Sequence, residues 1–129
     1  MIEGYLTALV VDDYADSRRI LGRMLEARGF SVEEAANGAE AVEAVRHKCP
    51  DIILMDLNMP RMDGLEATRK IRELKEECGG VVIIAVTAFD TYGMRDAALA
   101  SGFNEYITKT NIFDDLDRVL RYHLPELRP

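Results

Sequence analysis

The sequence lacks tryptophan and has only two cysteines and four prolines. None of its apolar runs approaches the length of about 20 residues that a helix needs to span a bilayer. Its first residues do not show the basic stretch and apolar segment of a secretory signal. Lysine and arginine total 16 against 23 aspartates and glutamates, so the formal charge is -7. Because binding to phosphate backbones needs a basic face, direct nucleic-acid binding is disfavoured. These deficits predict a cytoplasmic protein with no membrane insertion.

The two cysteines are Cys49 and Cys78, which are far apart in the sequence and form neither a metal-ligand nor a redox motif. We therefore expect reduced thiols with a structural role. The length of 129 residues, with 48% hydrophobic and 30% charged residues, suits one compact domain. We predict a single domain over residues 1–129. The short tail after the last predicted helix favours a stand-alone protein, although a piece of a longer regulator would look the same.

Apolar runs alternate with amphipathic segments five times along the chain. The predicted strands are Leu6–Val11, Ser31–Glu34, Ile52–Met55, Val81–Val86 and Glu105–Thr108. The predicted helices are Ser17–Arg28, Ala39–Lys48, Leu65–Glu77, Thr91–Ala100 and Ile112–His123, and Asn37-Gly38 is predicted as a turn. The second and fifth strands carry polar residues, as edge strands do. The pattern predicts an α/β fold, a doubly wound five-stranded parallel sheet of order 2-1-3-4-5, which is the flavodoxin-like (βα)5 arrangement.

Residues suited to phosphoryl chemistry follow four of these strands, namely Asp12 with Asp13, Asp56, Thr87 and Lys109. We expect them to converge, because the carboxyl ends of parallel strands meet at one edge of a sheet. Three carboxylates in one crevice repel each other unless a cation intervenes. Oxygen ligands favour a hard ion such as Mg²⁺, for which we expect Mn²⁺ to substitute. An aspartate beside such an ion can act as a nucleophile and form an aspartyl phosphate.

The ordered motifs resemble the receiver domain of bacterial response regulators, and in particular the stand-alone chemotaxis-type and sporulation-type receivers. The motifs are Val10-Val11-Asp12-Asp13, the segment from Met55 to Gly64, Thr87-Ala88 and the segment from Gly102 to Lys109. The resemblance implies that Asp56 is the phosphoacceptor. It also implies that Asp13, Asp56 and the backbone carbonyl of Asn58 bind Mg²⁺ directly, and that Asp12 contributes through water.

The resemblance further implies a phosphorylation switch in a two-component system or phosphorelay. A phosphohistidine on a sensor histidine kinase or histidine phosphotransfer protein would donate to Asp56. Thr87 would then follow the phosphoryl group, Tyr106 would turn inward as the switch residue, and Lys109 would pair with the phosphate. Such a protein assists its own phosphorylation and is not a conventional turnover enzyme. The target protein would bind the face of helix four, strand five and helix five, with Tyr92, Arg95, Tyr106 and Phe113. The phosphoryl donor would bind beside the first helix, near Tyr14, Ser17 and Arg18.

One position departs from the family pattern, because Thr110 follows Lys109 where receivers usually have a proline in a cis peptide. A non-proline cis bond costs about 2.5 to 4 kcal/mol, so the loop either is trans or keeps a strained cis bond. Two other functions are considered. An aspartate-nucleophile phosphohydrolase usually carries a second aspartate two positions after the nucleophile, but Asn58 stands there and cannot transfer a proton. A degenerate receiver would bind partners regardless of phosphate.

Overall fold

The chain folds as the predicted parallel α/β sheet in a computed structural model that describes residues 6–57, 59, 62–74, 78–88 and 91–124. The strands are β1 (Leu6–Val11), β2 (Phe30–Ala35), β3 (Ile52–Met55), β4 (Val82–Thr87) and β5 (Glu105–Thr108). The helices are α1 (Ala15–Glu26), α2 (Gly38–His47), α3 (Gly64–Arg72), α4 (Met94–Ser101) and α5 (Ile112–His123). All strand pairs are parallel, in the order β2-β1-β3-β4-β5. The predicted order and the flavodoxin-like arrangement are confirmed.

Helices cover both faces of the sheet, so alternate residues of the central strands enter two separate cores. Leu9, Ile53 and Ile83 pack on the face of α2, α3 and α4. Val10 and Leu54 pack on the face of α1 and α5. This two-sided burial is why the central strands are nearly continuous apolar runs, and why the polar β2 and β5 are at the edges. No helix in the described ranges is both long enough and apolar enough to cross a membrane.

The boundaries of the first four helices differ from the sequence prediction. Helix α4 begins at Met94 rather than Thr91, because Gly93 precedes it with φ +82° in a left-handed conformation. Helix α3 ends at Arg72, where the amide of Leu74 bonds to the carbonyl of Ile71 and closes the last turn. The rest of the predicted third helix, residues 75–77, lies outside the described residues. Helix α1 begins two residues early, and its Ile20 is exposed although it belongs to the predicted apolar repeat.

The predicted turn at Asn37-Gly38 is instead the start of α2. Asn37 is the N-cap, and its side chain accepts a hydrogen bond of 2.9 Å from the amide of Glu40. A Cβ at Gly38 would collide with the carbonyl oxygen of Met62, so glycine permits the close approach of α2 to the loop after β3. A short 3₁₀ helix at Lys109–Asn111, which the sequence did not predict, joins β5 to α5.

Cys49 and Cys78 form a disulfide, so the expectation of reduced thiols is wrong. The two residues precede β3 and β4, which are neighbours in the sheet and start in register at Ile52 and Val82. Their Cα atoms are 5.6 Å apart, within the range that a disulfide needs. Sequence spacing could not reveal the bond, because parallel pairing brings the two cysteines together.

Candidate functional site

The carboxyl edge of the sheet brings three predicted carboxylates together. Asp12 is fully buried, Asp56 is 8% exposed, and Asp13 is open to solvent. One oxygen from each of the three carboxylates lies within 4.8 Å of the others. The amide of Asp56 bonds to the carbonyl of Val11 at 2.9 Å, so pairing of β3 with β1 extends to the acidic residues themselves. The prediction that these residues meet at the switch point of the sheet agrees with this geometry.

Asp12 is the most constrained of the three carboxylates. Its Oδ1 accepts a hydrogen bond of 2.9 Å from the amide of Tyr14. Its Oδ2 accepts from the hydroxyl of Ser17 at 2.8 Å and from Nζ of Lys109 at 2.7 Å. These donors compensate the burial of a charged group, which would otherwise be costly. The sequence analysis assigned Ser17 only to a docking surface. Its bond to Asp12 could not be predicted, since it depends on how α1 follows β1.

Lys109 supplies the cation that faces these carboxylates. Its Nζ lies 2.7 Å from Oδ2 of Asp12 and 3.9 Å from Oδ2 of Asp56. Lys109 begins the 3₁₀ helix after β5, and its long side chain reaches across the strand ends toward β3 and β1. No peptide bond in the described parts of the chain is cis, so the bond from Lys109 to Thr110 is trans. The loop therefore keeps the ammonium at the site although Thr110, and not a proline, follows Lys109.

Thr87 and Tyr106 lie on neighbouring strands beside this cluster. Thr87 is the last residue of β4 rather than the residue after it, and it is fully buried. Tyr106 pairs with Ala85 on β4 and is 5% exposed, so its side chain is turned inward. The guanidinium carbon of Arg95 on α4 lies 5.3 Å from the centre of the Tyr106 ring, which is cation-π range. This contact was not predicted, although both residues were named as surface candidates.

Gly64 lies close to the backbone of Asp56. Gly64 begins α3, and a Cβ there would collide with the carbonyl oxygen of Asp56. The amide of Gly64 bonds to the carbonyl of Leu57 at 3.2 Å. Asp63 caps α3 by accepting from the amide of Glu66 at 2.9 Å. The predicted ligand Asn58 lies outside the described residues.

The donor set of the cluster fits a hard divalent cation. All three side chains offer carboxylate oxygens, and the described residues here include no sulfur or imidazole ligand. One lysine ammonium against three carboxylates leaves an excess of negative charge, which a divalent cation would neutralise. A magnesium ion held by one or two carboxylates, together with phosphate oxygens, is the usual arrangement for this ion.

The residues proposed for partner surfaces differ in exposure. Tyr92 before α4, Phe113 at the start of α5 and Tyr14 before α1 are exposed, whereas Tyr106 is buried. Arg18 is partly occupied within the chain, because its Nη1 donates to the carbonyl of Asp12 at 2.8 Å and its Nε to Glu34 at 2.9 Å.

A family model and a curated relative both match this chain to response regulators. The model of the response regulator receiver domain matches residues 8–121. The response regulator MprA of Mycobacterium sp. (strain KMS) is 36% identical over 121 residues. That alignment covers 94% of this chain and 51% of MprA, so the chain spans about half the length of this relative.

Two solved structures resemble this chain in both fold and sequence. The receiver domain of the sensor histidine kinase PA1611 from Pseudomonas aeruginosa, with magnesium in its active-site cleft, has a TM-score of 0.85 and 34% identity, covering 95% of this chain and 99% of that one. The co-crystal structure of the histidine phosphotransfer protein Ypd1 and the Ssk1 receiver domain from Saccharomyces cerevisiae matches with a TM-score of 0.83 and 28% identity. The match covers 99% of this chain and 95% of the matched chain. This chain belongs to the response regulator receiver domain family, the signalling modules of two-component and phosphorelay pathways.

Proposed function

We propose that this protein is a phosphorylation switch whose phosphoacceptor is Asp56. The observation that carries the proposal is the convergence of Asp12, Asp13, Asp56 and Lys109 at one edge of the sheet. In the proposed reaction, a carboxylate oxygen of Asp56 attacks the phosphorus of a phosphohistidine. A phosphorus–oxygen bond forms, the phosphorus–nitrogen bond breaks, and the imidazole leaves with the electron pair and takes up a proton.

Mg²⁺ is the proposed cofactor, with Mn²⁺ as a substitute. Asp13, Asp56 and the backbone carbonyl of Asn58 would hold the ion directly, and Asp12 would do so through water. When bound, the ion neutralises charge on the carboxylates and on the transferring phosphoryl oxygens. Support comes from the oxygen-only donor set and from the magnesium in the cleft of the PA1611 receiver.

The proposed switch uses residues that already contact the acidic cluster or pack beside it. Phosphorylation adds negative charge at Asp56, and Lys109 has only to shorten its present 3.9 Å separation from that side chain to pair with it. Thr87, at the end of the neighbouring β4, would donate its hydroxyl to the phosphoryl group. Tyr106 packs beneath α4 and would follow Thr87, which changes the face formed by α4, β5 and α5.

The proposed upstream partner is a sensor histidine kinase or a histidine phosphotransfer protein, and the exchange is proposed to be cytoplasmic. The Ypd1 complex of the similar Ssk1 receiver supports this class of partner. The exposed Tyr14 before α1, whose amide bonds to Asp12, offers an apolar contact beside the acidic cluster. The target protein would bind at Tyr92, Arg95 and Phe113, and phosphorylation should shift the amide resonances of those residues.

The test is intact mass after incubation with Mg²⁺ and acetyl phosphate. We expect the gain of one phosphoryl group, which is lost in Asp56→Asn and in the presence of a chelator. Replacing Mg²⁺ by Mn²⁺ should restore the gain. Failure to gain mass while Mg²⁺ still binds would overturn the acceptor role of Asp56 and favour a receiver that binds partners without phosphate. Turnover of a generic phosphate ester would instead favour a phosphohydrolase.

A further inference from the structure

We propose that the Cys49–Cys78 disulfide is a reversible redox site, which a small thiol or dithiol opens by attack on Cys49. Opening the bond would loosen the edge of the sheet opposite the acidic cluster. This proposal does not depend on phosphorylation of Asp56. It rests on the position of the two sulfurs, on their unequal exposure, and on the contacts that remain when the bond is open.

The two cysteines differ in accessibility. Cys49 lies in the irregular segment between α2 and β3 and is exposed. Cys78 is 5% exposed and packs in the core beneath α2, α3 and α4. Residue exposure therefore favours attack on Cys49 over attack on Cys78, because access helps to decide which sulfur of a disulfide is attacked.

The proposed reduction proceeds in two exchange steps. A thiolate attacks Sγ of Cys49, a mixed disulfide forms, and Sγ of Cys78 leaves with the electron pair and takes a proton from the medium. A second thiol attacks the added sulfur and releases the Cys49 thiol. Overall, two thiols or one dithiol are oxidised to a disulfide, and the protein disulfide is reduced to two thiols by two electrons and two protons.

The fold retains noncovalent contacts that hold both cysteine segments after reduction. On the Cys49 side, Oδ2 of Asp51 accepts a hydrogen bond of 2.7 Å from the amide of Thr7. On the Cys78 side, Nη1 of Arg72 donates to the carbonyl of Gly79 at 2.7 Å. Nε and Nη2 of Arg72 also bond to the carbonyl of Gly102, at 2.9 Å and 2.7 Å. The reduced cysteines therefore stay close, which allows the bond to form again.

We infer that the domain can still fold when this bond is open, although with lower stability. Disulfides are indispensable in small secreted domains that cannot build a sufficient core, whereas this chain has a core on each face of its sheet. Exposed disulfides are usually the labile, regulatory or catalytic ones, and this bond has one exposed cysteine.

The first experiment equilibrates the full chain in mixtures of reduced and oxidised glutathione. After acid quench and alkylation, intact mass gives the fraction of the protein with the bond open. We expect interconversion between the disulfide and dithiol forms, reached from either direction. A bond that stays closed in the most reducing mixture, or a reduced chain that does not close again, would overturn the proposal.

Two single variants test the site of attack. In Cys78→Ala, the exposed Cys49 should accumulate one glutathione in the oxidising mixture. In the matched variant Cys49→Ser, the buried Cys78 should accumulate almost none. Equal modification of the two variants would contradict attack on Cys49.

Amide hydrogen exchange, compared between the oxidised and the reduced wild-type chain, measures the structural consequence. Reduction of the wild-type chain should speed exchange at Lys48, Asp51 and Val81, and leave exchange at Asp12 and Asp56 unchanged. Cys49→Ser should match the reduced protein and should not respond to glutathione. Unchanged exchange around both cysteines would refute the loosening of this edge.

Discussion

The two ends of the parallel strands form a carboxyl edge and an amino edge of the sheet, and different kinds of interaction hold these two edges. At the carboxyl edge, three carboxylates share a small volume with one lysine. At the amino edge, a disulfide joins the segments before β3 and β4, and Asp51 bonds to Thr7. The first edge concentrates like charge, which disfavours the folded state without a cation, whereas the contacts described at the second edge are a covalent bond and hydrogen bonds. In this fold, contacts at the amino edge offset the electrostatic cost of the acidic site at the carboxyl edge.

Arg72 donates several of the hydrogen bonds described at the amino edge. Its guanidinium joins the end of α3 to the segments before β4 and β5, through Gly79, Val81 and Gly102. Burial lowers the pKa of Arg72, but an arginine side chain stays charged in proteins, so the donors are retained. Sequence analysis gave no sign of this role, because the three carbonyl acceptors belong to the backbone.

The largest effect is expected from removal of the disulfide. Cys49→Ser should lower the free energy of unfolding by roughly 3 to 4 kcal/mol, because the bond joins residues 29 apart and restricts the unfolded chain. Denaturant unfolding, monitored by circular dichroism, measures this loss. The reduced wild-type chain is the control and should unfold with the same midpoint as the variant. An unchanged midpoint would mean that the amino edge does not depend on the bond.

A smaller loss is expected from Arg72→Met, about 2 kcal/mol, because the partly buried carbonyls at Gly79 and Gly102 lose their donor. Arg69→Met on the same helix is the matched control, since Arg69 is exposed and its replacement should cost little. Phosphorylation of both variants should reach the same extent as in the wild type. If the two variants were equally stable, the proposed stabilisation by the Arg72 hydrogen bonds would be wrong.

The carboxyl edge should respond in the opposite direction. Asp13→Asn removes one of three neighbouring charges and should raise the free energy of unfolding by about 1 kcal/mol without Mg²⁺. Stabilisation by added Mg²⁺ should decrease in the same variant, because a proposed ligand is lost. Thermal unfolding with and without the ion measures both effects. Asp114→Asn, an exposed aspartate on α5, is the control and should leave the response to Mg²⁺ intact. Destabilisation by Asp13→Asn in the absence of the ion would contradict the repulsion.

The smallest effect is expected at the ion pair between Arg28 and Asp117 of α5, whose charged atoms lie 2.6 Å apart. The hydrogen bond from Arg28 lowers the pKa of Asp117, so its stabilising contribution is present above the usual aspartate range and is lost as the pH falls through the lowered value. Because the Asp117 side chain is 50% exposed, Asp117→Asn should cost only a few tenths of a kcal/mol at neutral pH. A double-mutant cycle with Arg28→Ala measures the coupling. A coupling energy that does not decrease in acid would contradict the assignment.

Sequence analysis predicted most of the fold because apolar periodicity reflects burial directly. Strands β1, β3 and β5 and helix α5 have the predicted bounds, since Val10, Leu54 and Leu116 belong to runs that one strand or helix must bury. Boundaries set by backbone detail were predicted less well. The start of α4 depends on the left-handed Gly93, and the end of α3 depends on a turn at Leu74.

The sequence by itself determined the alternating strands and helices and the polar residues that follow the strands, because these follow from the local alternation of apolar and polar residues along the chain. The polar second and fifth strands, together with the connection rules of parallel sheets, predicted the strand order. Only the tertiary structure decided which side chains meet. It placed Ser17 on Asp12, Arg95 over Tyr106, and Cys49 in a disulfide with Cys78. The physical reason is that these contacts join elements whose separation in space is set by packing and strand pairing, and no spacing in the sequence encodes that separation.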